Sequence, residues 1–240
     1  MTAFTEKLTS VFASLGLSHL LNPERVAAFY ALYRFLVDEN EKYNLTAVTD
    51  MDGVILLHFA DSLMGEALIP KGASVIDVGC GAGFPSLPLA LCRPDLTVTA
   101  TDATAKKIAF VNEAARLLGL TNLTAFSARA EVIGRGEHRD RYDLATARAV
   151  AALPTLLELL SPLVREGGRV LALKGRTAME ELEGARHAAG ELKCKVIFTK
   201  EYEIGEDESR AGRGIILFEK TAATPDAYPR PYARMKSRPL

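Results

Sequence analysis

The ten residues Val75 to Phe84, VIDVGCGAGF, concentrate the residue types that can do chemistry in this chain. The apolar run Val75, Ile76 and Val78 predicts a buried strand. Asp77 stands just before three glycines at alternate positions, Gly79, Gly81 and Gly83. A glycine turn leaving a strand lets backbone N–H groups approach a ligand, because no Cβ intervenes and positive φ costs little. The pattern points to a nucleotide-like ligand, and its spacing excludes two kinds. A dinucleotide fingerprint places glycine at the sixth position of the turn, where Phe84 stands. A Walker loop ends in Gly-Lys-Ser/Thr, and Ala82-Gly83-Phe84-Pro85 has neither lysine nor hydroxyl.

What remains, an acid two residues before G-x-G-x-G, resembles the first motif of the class I S-adenosylmethionine-dependent methyltransferases. That resemblance implies that Asp77 lies near the methionine end of the cofactor and that the glycines make room for it. Asp102 closes the next predicted strand, followed by Ala103 and Thr104. An acid at the tip of that strand hydrogen-bonds ribose hydroxyls in cofactor sites of this architecture; it can also cap the helix that follows. Ala130 and Glu131, after the third strand, stand where related folds meet an adenine ring, although Ser127 to Glu131 also reads as a solvated loop. Phe84 either covers the methionine part or packs beneath the turn.

The fourth strand ends in Ala147-Arg148-Ala149-Val150, and here an absence is informative. Methylation of an exocyclic base amine uses an Asn/Asp-Pro-Pro-aromatic box at this place, and methylation of a pyrimidine C5 uses a cysteine nucleophile. Neither is present. An acceptor that already carries a lone pair, such as guanine N7, needs no proton removed, so positioning and electrostatics supply the rate. Arg148 reads as a binding residue for cofactor or RNA, or as a surface ion pair. His58 and Asp61, three apart on one expected helical face, read as packed or solvated residues or as groups that position a substrate.

The elements that carry these residues follow from periodicity. Residues 1 to about 70 are expected to form a helical cap: Phe4 to Leu15, then a helix opened by Asn22-Pro23-Glu24, then one from about Asp50. After Pro70-Lys71-Gly72 the pattern alternates strand and helix through residue 222. Expected strands are Ser74 to Val78, Thr97 to Thr101, Leu123 to Ser127, Tyr142 to Thr146, Arg169 to Leu173, Lys195 to Tyr202 and Ile215 to Glu219. The polar loop GEDESRAGRG joins the last two. The fold class is therefore α/β, a seven-stranded, mostly parallel Rossmann-like sheet with its last strand antiparallel. Residues 223–240 form a basic arm, expected to be extended.

At net charge -1, bulk charge does not hold nucleic acid, so any such site is a local patch. Cys80, Cys92 and Cys194 lack disulfide or zinc spacing, and no metal is expected. With neither a signal pattern nor an apolar run of about 18 residues, a cytoplasmic protein without membrane contact is expected.

Several segments together resemble the RsmG (GidB) family of bacterial small-subunit ribosomal RNA guanine-N7 methyltransferases. They are Tyr43-Asn44-Leu45-Thr46, His58-x-x-Asp61-Ser62-Leu63, Asp77 to Pro85, Arg129-Ala-Glu131, Thr146 to Val150, Leu173-Lys-Gly175 and the closing Tyr228 to Leu240. The family's usual arginine before the histidine is Leu57 here. The resemblance implies S-adenosylmethionine as cofactor and N7 of guanine 527 in 16S ribosomal RNA as target. It also implies a cofactor site lined by Gly79, Phe84, Asp102, Ala130, Glu131 and Arg148, with His58 near the base. Candidate phosphate contacts are Lys174, Arg176, Arg230, Arg234, Lys236 and Arg238, with Tyr228 and Tyr232 as stacking groups. The expected partner is 16S RNA, the small subunit or its assembly intermediate; no stable protein partner is implied, and the chain is expected to be a monomer. Deleting residues 227–240 is expected to spare cofactor binding and weaken RNA binding.

Overall fold

The computed structural model describes residues 1–205 and 210–240, so part of the expected polar loop, residues 206–209, lies outside the described residues. The seven strands are β1 (Ser74–Val78), β2 (Thr97–Asp102), β3 (Leu123–Ser127), β4 (Tyr142–Arg148), β5 (Val164–Gly175), β6 (Cys194–Ile204) and β7 (Ala211–Lys220). They form one sheet in the order β3-β2-β1-β4-β5-β7-β6. All pairings reported below are parallel except those of β7, which runs antiparallel to both β5 and β6. The chain divides into two compact units, Met1–Gly72 with Cys80–Ser127, and Ala73–Gly79 with Ala128–Leu240.

The first unit opens with α1 (Thr2–Ser14) and α2 (Pro23–Tyr43). Asn22 caps α2 as its spacing predicts, its Oδ1 accepting the Arg25 N–H at 2.8 Å ahead of Pro23 and Glu24. Phe12 meets Phe29 edge-on, and Phe29 meets Phe59, so three helical segments share one aromatic core. The helix expected from Asp50 comes in three consecutive parts: α3 (Met51–Gly53), a π-helical stretch (Val54–Ala60) and α4 (Asp61–Leu63). This unit also holds α5 (Ser86–Cys92), α6 (Ala105–Leu117) and the parallel pair β2 and β3. Arg93 ties its loops together, bonding both Asp95 oxygens at 2.8 and 2.9 Å, Glu66 Oε2 at 3.1 Å and the Glu66 carbonyl at 2.9 Å.

In the second unit β1 pairs with β4 and β4 with β5. Its helices are α7 (Ala130–Ile133), α8 (Leu153–Leu160), α9 (Ala178–Gly184), α10 (Arg186–Glu191) and α11 (Tyr232–Ser237). Strand β5 begins five residues before the expected Arg169. Gly167 and Gly168 do not precede the strand; they sit inside it, where the register shifts between Tyr142/Val164 and Leu144/Arg169. A Cβ on Gly168 would stand 2.8 Å from the Asp143 carbonyl, so backbone proximity requires glycine there. At the end of β7, Lys220 is fully buried; its Nζ donates to the Ser161 and Val164 carbonyls at 3.0 and 2.7 Å and is paired with Asp140. The C-terminal arm is not extended: residues Tyr232–Ser237 are helical, and buried Met235 anchors them.

Candidate functional site

In the first unit the acid at the tip of β2 is held at two points. Asp102 Oδ2 accepts the Gly81 N–H at 3.1 Å and Oδ1 accepts the Thr104 N–H at 2.8 Å. The second bond closes a local turn ahead of α6, whose N-cap is Thr104 and carries no side-chain cap bond, so Asp102 does not cap that helix. Each carboxylate oxygen retains a lone pair for a further donor. Lys107 Nζ lies 3.8 Å from Oδ2, beyond hydrogen-bond distance.

The three glycines divide the work expected of them together. At Gly81, φ is 58° and no heavy atom lies within 4 Å of where a Cβ would be, so this position opens onto free space. Gly83 packs instead, since a Cβ there would lie 2.8 Å from Leu87 Cγ. In the second unit a Cβ on Gly79 would stand 2.6 Å from Val150 Cγ2. Open space thus lies at Gly81, and close packing at the other two. The turn is pinned by Cys80 N–H to the Thr101 carbonyl and by the Gly83 and Phe84 N–H groups to the Cys80 carbonyl, each at 2.9 Å.

Phe84 is buried, and the His58 imidazole stacks on it with ring centroids 4.6 Å apart and planes at 11°. His58 Nε2 lies 2.8 Å from Thr46 Oγ1, and Thr46 is placed in turn by its N–H to Asn40 Oδ1 at 2.8 Å. Sequence reading quoted the Tyr43-Asn44-Leu45-Thr46 segment without a role for it; its role here is to orient His58. Asp61 is buried at 4% exposure, so of the expected His58/Asp61 face only His58 keeps accessible surface.

In the second unit Asp77 is fully buried on β1, in register with Thr146, whose hydroxyl donates to the Leu171 carbonyl at 2.9 Å. Of the segment Ser127 to Glu131, the last two residues open α7 and Ala130 is buried, while Ser127 and Arg129 are exposed; Glu131 lies 3.7 Å from Arg129. Arg148, half-buried, ends β4 in register with Leu173.

Two of the expected phosphate contacts are turned inward. Lys174, its side chain 9% exposed, pairs with Glu181 at 2.7 Å and donates to the Ala151 carbonyl at 2.8 Å. Glu181 also accepts the Leu153 N–H at 2.8 Å, so the pair fixes the entry to α8 rather than meeting phosphate. Arg230 grips Glu158, which is wholly buried, through its backbone N–H at 2.8 Å, Nε at 2.8 Å and Nη2 at 2.6 Å. The Glu158 carboxylate raises the affinity of that guanidinium for its proton, against partial burial. Tyr228 is half-buried, with its hydroxyl 3.3 Å from Glu191 Oε2. Burial and then the Glu191 charge push its phenol upward. Because residues 227–230 are part of this packing, deletion of 227–240 removes structure as well as charge. Arg176, Arg234, Lys236, Arg238 and Tyr232 remain exposed. Arg176 lines a groove of about 340 Å³ with Tyr202 and Arg213.

A sequence profile described as rRNA small subunit methyltransferase G matches residues 25–209. The chain belongs to that family. A Ribosomal RNA small subunit methyltransferase G from Staphylococcus saprophyticus is 41% identical over 235 residues, covering 97% of each chain. Another family member, from Deinococcus deserti, is 42% identical over 218 residues, 88% of this chain and 87% of its own. Among solved structures, P. horikoshii TYW2 in complex with MeSAdo is similar with a TM-score of 0.55 at 16% identity, over 68% of this chain and 63% of that one. A SAM-dependent methyltransferase from Methanosarcina mazei follows with a TM-score of 0.51 at 15% identity, over 65% of this chain and 96% of that one. At such identities the likeness speaks to fold, the class I methyltransferase fold. Among the described residues no helix of this family member is long and apolar enough to cross a membrane.

Proposed function

We propose that the chain methylates N7 of guanine 527 in 16S ribosomal RNA with S-adenosylmethionine as methyl donor. Family membership supports methylation of small-subunit ribosomal RNA. The observation that carries the cofactor reading is the Asp102 carboxylate, tethered by Gly81 and Thr104 where Gly81 opens onto free space. A carboxylate fixed in this way fits a vicinal diol, accepting two hydroxyl protons without reorganising. Asp102 with Ala103 and Thr104 is assigned the ribose, and Gly81 the close approach of the cofactor. Gly79 and Gly83 shape the turn. Asp77, Phe84, Ala130, Glu131 and Arg148 are assigned the contacts that the family resemblance implies.

S-adenosylmethionine supplies an electrophilic methyl group. Guanine N7 is a lone-pair acceptor and carries no proton to remove. The chain's residues therefore have no general base to provide, in keeping with the absence of an amine-holding box or nucleophilic cysteine at Ala147 to Val150. Their work is orientation, and well-placed reactants account for a large part of a barrier. His58, immobilised by Thr46 and Phe84, and Arg148 are assigned to substrate positioning.

The test is incubation of the full chain with tritiated S-adenosylmethionine and either 30S subunits or naked 16S RNA. Label recovered as 7-methylguanine from the fragment containing guanine 527 supports the reading; label in another base, or none on either RNA, overturns it. Asp102→Ala is expected to weaken cofactor binding at least tenfold, the loss of about 1.4 kcal/mol or more of charge-assisted hydrogen bonding. Unchanged calorimetric affinity removes its ribose role.

A further inference from the structure

Residues 224–230 are strapped to the second unit by two arginines that no sequence motif singles out. Arg135 donates from Nε to the Pro229 carbonyl at 2.7 Å and from Nη2 to the Ala227 carbonyl at 3.0 Å. Arg139 donates from Nη1 to the Tyr228 carbonyl at 2.8 Å and from Nη2 to the Thr224 carbonyl at 2.6 Å. The same Nη1 reaches the Gly134 carbonyl at 3.1 Å, and the Gly134 N–H donates to the Ala130 carbonyl at 2.9 Å. Packing closes the same gap, because a Cβ on Gly134 would stand 3.2 Å from the Ala130 carbonyl oxygen and 3.3 Å from Pro229 Cγ. Helix α7, which carries Ala130 and Glu131, and the strap therefore share one set of bonds and one tight contact. Immediately beyond the strap, α11 and its end show Arg234, Lys236 and Arg238 to solvent.

We infer that Arg135 and Arg139 are positioning residues that couple RNA engagement of the basic C-terminal helix to cofactor binding at α7. The inference rests on the proposed cofactor roles of Ala130 and Glu131. The physical reason is the rigidity of the guanidinium fork. One planar group on Arg139 serves the end of α7 and two carbonyls of the strap, so the strap does not shift without moving the donor that holds Gly134. RNA binding that immobilises α11 thereby steadies Ala130, and by linkage cofactor binding tightens RNA binding by the same factor. A network of contacts establishes such coupling only when the coupling is measured.

The measurement is calorimetric affinity for S-adenosylhomocysteine, a probe that does not react, with and without saturating 16S RNA. In the parent chain RNA is expected to tighten the probe about fivefold or more. Arg139→Lys keeps the charge and loses the fork, and the RNA effect is expected to fall below about twofold. The triple exchange Arg234→Gln, Lys236→Gln and Arg238→Gln is expected to abolish it as well. A merely structural role for Arg139 would lower the melting temperature while leaving the RNA effect on the probe unchanged, and that result overturns the inference. So does a parent chain that binds the probe equally with and without RNA. Should Arg139→Lys not fold, Arg135→Lys makes the test from the strap side, freeing the Pro229 and Ala227 carbonyls; the RNA effect on the probe is then expected to fall, and an unchanged effect overturns the inference. A parent chain that does not bind the probe at all refutes the cofactor reading itself and is thereby told apart from failed coupling.

Discussion

Replacing Arg230 by alanine strands a carboxylate in the interior. Glu158 is fully buried and accepts three N–H groups from Arg230, two of them from the guanidinium. After Arg230→Ala, of these three donors only the backbone N–H remains. Breaking a buried pair by removing one partner costs roughly 3–5 kcal/mol. The expected result is a urea midpoint about 1.5–2.5 M below the parent at pH 7, for a slope of about 2 kcal/mol/M. Exchanging both partners for apolar residues, Glu158→Leu with Arg230→Met, is expected to recover most of the loss. A deficit under about 1 kcal/mol at pH 7, or a double exchange no more stable than Arg230→Ala alone, would refute the reasoning.

The Arg93 guanidinium holds the Asp95 carboxyl well below the usual range, with help from the Gly72 N–H and against partial burial. A depressed folded-state value contributes stability that is whole above the unfolded value of about 3.9 and fades as pH falls below it. Asp95→Asn should therefore destabilise the protein at pH 6, with a difference that narrows below about pH 4; a difference constant with pH speaks against the pair. Lys174→Gln should lower thermal stability and leave the salt dependence of RNA binding unchanged. Arg176→Gln should do the reverse, reducing the logarithmic salt slope by about 0.7–0.9, and identical effects of the two in filter binding would contradict the assignment. Burial pushes the thiols of Cys92 and Cys194 up to about 12. Both should resist a chromogenic disulfide reagent at pH 8 in the native protein and react once it is unfolded.

Sequence periodicity was most informative where the physics is local. β1 and β3 occupy the expected residues, because a short apolar run between turn residues has few alternatives. β5 starts earlier than expected because Gly168, inside the strand, serves a close backbone approach to Asp143. Helix α7 has four residues, too few to show a period, and α11 lies inside a proline-rich, basic stretch that reads as an extended arm. The candidate site divides the same way. Asp102 and Gly81 were legible from residue type and place, whereas Arg230 was legible only as a charge, because its partner lies 72 residues away along the chain. Arg135 and Arg139 left no sequence signal at all: their partners are mainly backbone carbonyls, which every residue type supplies.

Lys220 shows what such burial means for covalent footprinting. Its ammonium, enclosed by Asp140 and the Ser161 and Val164 carbonyls, is withdrawn from solution as a nucleophile while the fold is intact. An acylating reagent that maps lysines shielded by RNA would leave Lys220 unmodified whether or not RNA is bound, and would modify it only in molecules that have opened. The residue thus serves as an internal standard, separating protection that comes from a ligand from protection, or its loss, that comes from the integrity of the chain itself.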